Sequence, residues 1–328
     1  MEKNTYIIIA FYSHAQIPAV AVDLFRRARP AENKSPKIRA LRLRRSLASR
    51  YFPAMGRVPL EDNFNDVIAK AQRGLGLDDA DLARRAQVDP AAIVALKAGR
   101  FNEAVARRIA SHLRLNRDAL VRLAEKKWYP TQPQFPSGFM AFNTPYGDMT
   151  VNSYIVWDER SRHAAVFDTG ASCETLLEFV HSDKLMVRYI FLTHTHEDHI
   201  ADLPRLAAAT KAEVWASSRE PASFPGAKTF EENAFFHLGQ LAIKTLFTWG
   251  HSPGGTTYYI TGLSWPIAVT GDSIFASSMG GGQVSYADAY ENNLKKIMTL
   301  PSDTVLACGH GPLTTVAQER RNNPFFVR

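Results

Sequence analysis

The chain of 328 residues has a hydrophobic fraction of 45% and a charged fraction of 22%, which excludes a low-complexity or disordered protein and leaves room for two folded domains. Its formal net charge of +7 is concentrated in residues 1–60, so the nearly neutral remainder does not indicate a nucleic-acid surface. The two cysteines, Cys173 and Cys308, exclude a disulfide framework and favour the reducing cytoplasm. No apolar run reaches about 18 residues, so we expect no membrane span.

Residues 1–60 predict a loosely ordered basic arm. Twelve basic and three acidic residues occur in this segment, together with prolines and little hydrophobic periodicity. Such an arm either contacts nucleic acid or an acidic membrane, or is a solvated extension. We favour the solvated extension, because neither interleaved aromatic residues nor a groove-reading motif accompanies the charge.

Residues 61–128 carry apolar residues at helical spacing. The pattern predicts five short helices, near 64–74, 78–86, 89–98, 102–114 and 117–127. Their spacing resembles the helix-turn-helix domain of the Cro/repressor type, with residues 90–98 as the reader helix. That helix offers Lys97 to a phosphate and no side chain that reads a base edge. We therefore expect an all-α module for packing or homo-oligomer formation, without sequence-specific DNA affinity.

Residues 129–137 are proline-rich and predict a linker. After it, residues 138–328 interleave strand-like and helix-like stretches, which predicts an α/β domain. Helices are expected near 173–182, 198–210 and 286–299. The predicted strands are Val151–Trp157, Ala164–Asp168, Val187–Leu192, Glu213–Ala216, Leu241–Phe247, Thr256–Thr261, Trp265–Val269 and Thr304–Ala307.

The densest group of metal-binding residue types follows the third predicted strand. There the sequence reads Thr-His-Thr-His-Glu-Asp-His-Ile, and His194 and His196 point to the same side of an extended backbone. Asp198 and His199 add two donors near the start of a helix. Imidazole and carboxylate suit zinc, iron or manganese, and four donors in six residues exceed what one tetrahedral ion usually takes from so short a loop. The motif therefore predicts two adjacent ions.

Three further motifs follow in the second half of the chain: Trp249-Gly-His251-Ser-Pro-Gly-Gly, Thr270-Gly-Asp272-Ser and Cys308-Gly-His310-Gly-Pro. Together with the first motif, this ordered set resembles the metallo-β-lactamase superfamily. The resemblance implies an αββα sandwich, in which two β-sheets pack face to face with helices outside and metal ions at one edge. In this chain the sandwich would be preceded by the small all-α module.

By this resemblance, seven side chains bind two divalent transition-metal ions, zinc in the first place, with iron or manganese as alternatives. The ligands of the first ion are His194, His196 and His251, those of the second are Asp198, His199 and His310, and Asp272 bridges both. A shared hydroxide would attack a carbonyl carbon. Asp198 would also orient that hydroxide, as the catalytic residue.

Two further residues near the motifs have competing interpretations. Asp168 resembles a family element that supports the metal-binding loop, and it is also explained as a turn residue before Gly170. Cys308 lies close to the last histidine and is the alternative nucleophile. Its apolar strand setting, Val305-Leu-Ala-Cys, predicts an inert buried thiol instead.

The branch of the superfamily is indicated by residues 270–280 and 309–326, which resemble glyoxalase II, a group that hydrolyses thioesters of hydroxy acids. Two features depart from that group: its Gly-Arg-x-Asp element is absent, and the chain ends at Arg328 without the helical domain that supplies basic residues for glutathione. We expect a small-molecule thioester or related ester as substrate, with weak recognition of the glutathione part. Candidate substrate contacts are Ser285, Tyr286, Arg320 and Arg321, with Tyr286 alternatively anchoring the helix that follows.

Other functions fit parts of the same pattern. A lactonase would use the same ligands. A single-iron persulfide dioxygenase has similar motifs, although the missing Gly-Arg-x-Asp element counts against it. Outside the enzymes, a DNA-binding regulator could sense a metabolite with a hydrolase-like domain.

Overall fold

The computed structural model describes residues 57–133, 135–221 and 224–327, all within one compact unit, Tyr51–Arg328. The predicted basic arm at 1–60 lies almost entirely outside the described residues. The boundaries at 61–128, 129–137 and 138–328 stay predictions, because this unit contains all three segments. Within the described ranges, no helix combines the length and the apolar character needed to span a membrane.

Five short helices form the helical module. Four of them begin at a polar side chain that accepts a backbone N–H of the first turn, namely Asp78, Asp89, Asn102 and Asn116. These caps satisfy amides that have no partner inside a helix, so that even short helices begin at defined residues. The helices are α1 (Phe64–Gly74), α2 (Asp79–Ala86), α3 (Pro90–Lys97), α4 (Glu103–Ala110) and α5 (Arg117–Ala124).

The remainder of the described chain alternates strands and helices. The helices are α6 (Glu174–Ser182), α7 (Glu197–Ile200), α8 (Leu203–Thr210), α9 (Tyr286–Asn292), followed by a π-helical turn (Asn293–Ile297), and α10 (Val316–Asn322). The strands are β1 (Phe139–Tyr146), β2 (Met149–Trp157), β3 (His163–Phe167), β4 (Met186–Phe191), β5 (Glu213–Ser217), β6 (Lys228–Phe230), β7 (Phe235–Leu238), β8 (Leu241–Phe247), β9 (Thr256–Thr261), β10 (Ile267–Gly271), β11 (Ile274–Phe275), β12 (Ser278–Met279), β13 (Val305–Cys308) and β14 (Thr314–Thr315).

Two six-stranded sheets form the centre of the fold, with the orders β1-β2-β3-β4-β5-β6 and β14-β13-β10-β9-β8-β7. Side chains alternate between the two faces of each strand. In β10, Ile267 and Val269 face the core between the sheets, whereas Ala268 faces the outer helices. In β3, Phe167 faces the core between the sheets, whereas Val166 faces the helices on the other side of its sheet. The sheets therefore pack face to face between helical layers, which confirms the predicted αββα sandwich.

The helical module is part of the outer layer on the second sheet. Val67 and Ile68 of α1 belong to one buried apolar cluster with Ala268 of β10 and Leu306 of β13. Phe325, which follows α10, belongs to the same cluster. The module and the second sheet thus share one core, and the hydrophobic effect stabilises both through the same buried surface.

Prolines explain two differences from the predicted elements. The prediction of one helix at 198–210 was wrong, because α7 ends at Ile200 and a new helix begins at Leu203. Pro204 lies in the first turn of α8, where its missing N–H has no helical partner to lose. Strand β1 was not predicted because Pro145 interrupts its pattern. It lies at the edge of its sheet, where proline is tolerated.

The one cation on the predicted reader helix α3 has partners inside the helical module. Lys97 Nζ lies 2.5 Å from Asp79 Oδ1, and Gln72 Nε2 donates to the same oxygen at 2.7 Å. The neighbouring Val94 is exposed, so this face of α3 presents an apolar side chain to solvent. The absence of sequence-specific DNA affinity stays a prediction, and the ion pair of Lys97 supports it.

A buried carboxyl group on α10 makes the stability of the fold depend on pH. Glu319 accepts hydrogen bonds from Thr314 Oγ1 at 2.7 Å, from the Ser277 amide at 2.9 Å and from Asn323 Nδ2 at 2.9 Å. Burial nevertheless raises the pKa of its carboxyl to about 7. A carboxyl group whose pKa is raised by folding stabilises the fold fully below its unfolded pKa, near 4.5. That contribution is lost as the pH rises through about 7.

We expect the Glu319→Gln variant to exceed the wild type by roughly 1–3 kcal/mol in free energy of unfolding at pH 8, and to lose that advantage at pH 5. The glutamine amide can donate to Thr314 while its oxygen accepts from Ser277 and Asn323. Urea unfolding at the two pH values measures the difference. A variant less stable than the wild type at pH 8 would show that hydrogen bonds to the carboxylate outweigh the cost of burying its charge.

Candidate metal centre

The predicted ligands follow strands that end at one edge of the sandwich. β3, β4 and β5 run parallel in the first sheet, and β10 runs parallel to β13 in the second. Sites commonly form beyond the carboxyl ends of such strands. His194 follows β4, His251 follows β8, Asp272 follows β10 and His310 follows β13. The structure brings all seven predicted side chains into groups of three whose ligand atoms lie within 4.8 Å of one another.

The first group consists of His194, His196 and His251. Nδ1 of His196 lies 3.0 Å from Nε2 of His194 and 3.0 Å from Nε2 of His251. A tetrahedral zinc ion with bonds of about 2.05 Å would separate its ligand atoms by about 3.3 Å, so these two separations are close to what a single ion requires. His194 and His251 are buried, whereas His196 is exposed. The group is therefore accessible from the side of His196.

The second group consists of Asp198, His199 and His310. Oδ2 of Asp198 lies 3.1 Å from Nε2 of His310 and 3.5 Å from Nε2 of His199. Asp272 lies between the two groups, with Oδ2 3.4 Å from Nε2 of both His251 and His310. Its Oδ1 is 3.3 Å from Nε2 of His199. One carboxylate therefore faces both groups.

Hydrogen bonds determine which ring nitrogen these histidines turn toward the centre. Nδ1 of His251 lies 2.9 Å from the Gly281 carbonyl oxygen, and Nδ1 of His310 lies 2.7 Å from that of Thr150. Because a carbonyl oxygen can only accept, each Nδ1 donates and each Nε2 keeps its lone pair in the neutral ring. Partners of this kind orient metal-binding histidines in proteins.

Asp168 accepts three hydrogen bonds from the segment that follows β4. Its Oδ1 accepts the Thr193 amide at 2.7 Å, and its Oδ2 accepts the Thr193 hydroxyl at 2.7 Å and Nδ1 of His199 at 2.9 Å. The Thr193 oxygen lies 3.0 Å from Nδ1 of His194 and can accept from it. These contacts hold Asp168 at a φ of +55°, which non-glycine residues seldom adopt. Asp168 therefore supports two of the predicted ligands.

Asp272 and two histidines of the centre shift one another's pKa values. Burial disfavours ionisation of Asp272, but His310 and His199 outweigh it and hold the pKa of this carboxyl well below its usual range. Burial also disfavours protonation of His199 and His310, yet Asp272 raises the pKa of both rings. Nε2 of His199 and Oδ1 of Asp272 are buried and lie 3.3 Å apart, and neither forms a hydrogen bond of normal geometry with a described residue. Both atoms are free to bind a metal ion.

Glu220 links two ligand loops and was not identified from the sequence. Its Oε2 accepts the Thr195 amide at 3.0 Å and the Thr195 hydroxyl at 2.7 Å, and its Oε1 accepts the Gly254 amide at 2.6 Å. Thr195 separates the first two histidines of the centre, and Gly254 follows the third. No motif marks Glu220. The one available signal was its position in a polar run at the end of a predicted strand.

Two predicted substrate contacts lie at the start of α9. Ser285 is the cap residue of this helix and accepts the Asp288 amide. The ring of Tyr286 packs so closely on Gly74 of α1 that a Cβ at that glycine would overlap it. Tyr286 thus takes the anchoring position that was the alternative interpretation. Contact of either residue with a substrate stays a prediction.

The other two predicted substrate contacts lie on α10. Arg320 donates hydrogen bonds to the carbonyl oxygens of Met298 at 2.9 Å and Leu300 at 3.2 Å, so its guanidinium fixes the turn after the π-helical segment. Arg321 is exposed, and its carbonyl oxygen accepts a hydrogen bond from Arg122. Substrate binding by these arginines also stays a prediction.

Comparison with known proteins gives a family match and two kinds of relative. The family model described as Metallo-beta-lactamase superfamily matches residues 146–310, a range that contains all seven clustered side chains. An uncharacterized protein of Aquifex aeolicus (strain VF5) is 31% identical over 205 residues, 55% of this chain and 94% of that protein. Hydroxyacylglutathione hydrolase GloC of Haemophilus influenzae is 27% identical over 199 residues, which cover 53% of this chain and 92% of that protein. The crystal structure of ETHE1 from Myxococcus xanthus has a TM-score of 0.50 and 25% identity, covering 56% of this chain and 83% of that one.

Proposed function

Because the chain belongs to the metallo-β-lactamase superfamily, we propose that it is a metal-dependent hydrolase that cleaves a thioester or related ester of a small molecule. The similarity to a hydroxyacylglutathione hydrolase supports the thioester. The observation that carries the proposal is the position of Asp272 Oδ2, 3.4 Å from a histidine nitrogen of each ligand group. A carboxylate in this position can bind two ions at once.

The clustered side chains fit two divalent transition-metal ions, with zinc as the first candidate and iron or manganese as alternatives. Their nitrogen and carboxylate donors suit these metals, and the two buried atoms without hydrogen bonds of normal geometry would each gain a ligand bond. When bound, the ions supply an activated water molecule near neutral pH and polarise the carbonyl group of the substrate. The proposed ligands are His194, His196 and His251 for one ion, Asp198, His199 and His310 for the other, and Asp272 for both.

The chain's own residues orient the reactants around this centre. Burial opposes ionisation of Asp198, but its hydrogen bond with His310 outweighs this and lowers the pKa of its carboxyl. The resulting carboxylate on α7 can accept a hydrogen bond from the attacking water and direct it toward the carbonyl carbon. Water adds there, the C–S bond of the thioester breaks, and the products are a carboxylic acid and a thiol.

Metal analysis combined with a substrate panel tests the proposal. We expect close to two metal ions per purified chain, and thioester hydrolysis that is abolished by a chelator and restored by added metal. The panel should contain thioesters, lactones and persulfides at equal concentration. A single iron per chain together with oxygen consumption on a persulfide would contradict the proposal and favour a dioxygenase.

Glu220 provides a test of the first ligand group. A carboxylate accepts from all three donors of Thr195 and Gly254, whereas in the Glu220→Gln variant one side-chain position becomes an NH₂ group that faces a backbone N–H. We expect metal binding to weaken by about 10–100-fold, as for other residues that orient metal ligands. Competition with a chelating indicator measures the affinity. The matched control is Glu213→Gln, at an exposed position on β5. Equal affinities in both variants would show that Glu220 has no orienting role.

The proposed compartment is the cytoplasm. Both cysteines, Cys173 and Cys308, are free and buried. Burial raises the pKa of the Cys173 thiol to about 12, so it stays protonated and unreactive. This arrangement requires no oxidising environment.

A further inference from the structure

The segment that leads into α1 lies against the last ligand loop of the metal centre. Gly311 directly follows His310 and has a φ of +71°. A Cβ built on Gly311 would lie 3.2 Å from the Glu61 amide nitrogen and 3.6 Å from the Glu61 Cβ. The backbone of Glu61 therefore rests on the residue beside a proposed ligand. A residue from outside the range of the family match thus reaches the rim of the centre.

Asp62 fixes this segment in place. Its Oδ2 lies 2.5 Å from Lys70 Nζ of α1 and 2.5 Å from Ser278 Oγ of β12. Lys70 also donates to the Met279 carbonyl oxygen at 3.0 Å. Asp62 is buried and Lys70 is partly buried, so these charge-assisted contacts are well shielded from solvent. The position of Glu61 is therefore set by the packing of α1 on β12.

The Glu61 carboxylate differs from that of Asp62, because no described residue donates a hydrogen bond to it or pairs with it. It is half-buried. Burial raises its pKa, the charges of His310 and Lys70 lower it, and those of Asp62 and Asp272 raise it, so it lies within electrostatic reach of His310 and of the carboxylate that faces both ligand groups. Two divalent ions at the centre would favour its ionised form. With the ions bound, Glu61 would place a negative charge beside the last ligand loop, with its hydrogen-bond acceptors still available.

We propose that Glu61 selects substrates by charge: it favours esters that present an ammonium or another hydrogen-bond donor beside the His310 side of the centre, and it disfavours those that present a carboxylate there. This inference rests on the proposed hydrolase function. An unpaired carboxylate attracts a cation and repels an anion over a few ångströms, and at a partly buried rim this effect is large enough to alter specificity. The helical module would then contribute to substrate selection, because its helix α1 fixes the position of the segment that contains Glu61.

The test compares thioesters that differ in charge. One pair shares an acetyl group and carries thiocholine or 3-mercaptopropionate as the thiol part. A second pair shares a neutral thiol and carries a trimethylammonium or a carboxylate on the acyl part. In the metal-loaded Glu61→Gln variant, kcat/KM for the anionic member should rise relative to that for the cationic member by about tenfold in at least one pair. The dissociation constants of the charged products, measured by calorimetry, should change in the same direction.

Control measurements distinguish a failure of this inference from a failure of the proposed hydrolase function. Glu178→Gln makes the same change of charge at an exposed position on α6 and should leave both ratios unchanged. Metal content and unfolding midpoints of Glu61→Gln should equal those of the wild type. A wild type that hydrolyses none of the four thioesters would contradict the hydrolase proposal. A wild type that hydrolyses them, with ratios and dissociation constants within twofold of those of Glu61→Gln, would overturn the role of Glu61 alone.

Discussion

Asp272→Ala should lower the occupancy of both metal ions together. Its Oδ2 faces His251 of one group and His310 of the other at the same distance of 3.4 Å, so its removal takes a ligand from each ion. Loss of an outer partner of a ligand already weakens metal binding by about 10–100-fold, and loss of a ligand itself should cost at least about a hundredfold for each ion. Metal content after gel filtration measures both.

Asp303→Ala, at an exposed position before β13, is the matched control and should retain both ions. The wild type and both variants should first be compared by urea unfolding in chelator, which separates loss of metal from loss of fold. Retention of one ion at full affinity by Asp272→Ala would show that the carboxylate serves a single ion and would refute the bridge.

Asp198→Asn should lower kcat by at least about a hundredfold, the scale expected when a group essential to a metal site and its charge stabilisation is lost. The amide keeps the size of the side chain, but it is neutral and binds metal poorly, and it no longer directs the attacking water as a carboxylate does. Steady-state kinetics at saturating metal separate weakened binding from weakened chemistry. Full activity at high metal concentration would reduce Asp198 to a ligand without a catalytic role.

Cys308→Ala is the counterpart of that experiment and should leave most activity. Cys308 is fully buried at the end of β13, and burial raises the pKa of its thiol far above the usual range. A thiol that stays protonated cannot act as a nucleophile near neutral pH. A loss comparable to that of Asp198→Asn, in a variant that still binds two metal ions, would indicate a covalent intermediate on sulfur.

The seven proposed metal ligands could be named in advance because each lies in a short, recognisable sequence motif. Each motif combines an apolar strand with the ligand that follows it, and parallel strands bring their carboxyl ends to the same edge. The assignment of His194 and His310 to one site came from the resemblance to the metallo-β-lactamase superfamily. The αββα architecture followed from the same resemblance, since strand order cannot be read from periodicity.

The residues that surround the centre were not predictable in this way. Glu220 acts through amides of Thr195 and Gly254, and an acidic residue with such partners has no sequence signature. Glu61 depends on the packing of α1 against β12, which is a long-range contact. Tyr286 illustrates the same limit, because its sequence position fits a substrate contact and a helix anchor equally, and its packing on Gly74 has no sequence signature.

The shared core of the helical module and the second sheet has a consequence for biosynthesis. Asp62 and Ser278, which are in contact, lie 216 positions apart in the sequence, and the apolar face of α1 is covered by β10 and β13. During translation the five helices leave the ribosome before these strands, and the face of α1 that packs on the strands stays uncovered until they are made. Contacts of such sequence separation form late and slowly. Nascent chains that stall before β13 should therefore be the species that chaperones and proteases recognise.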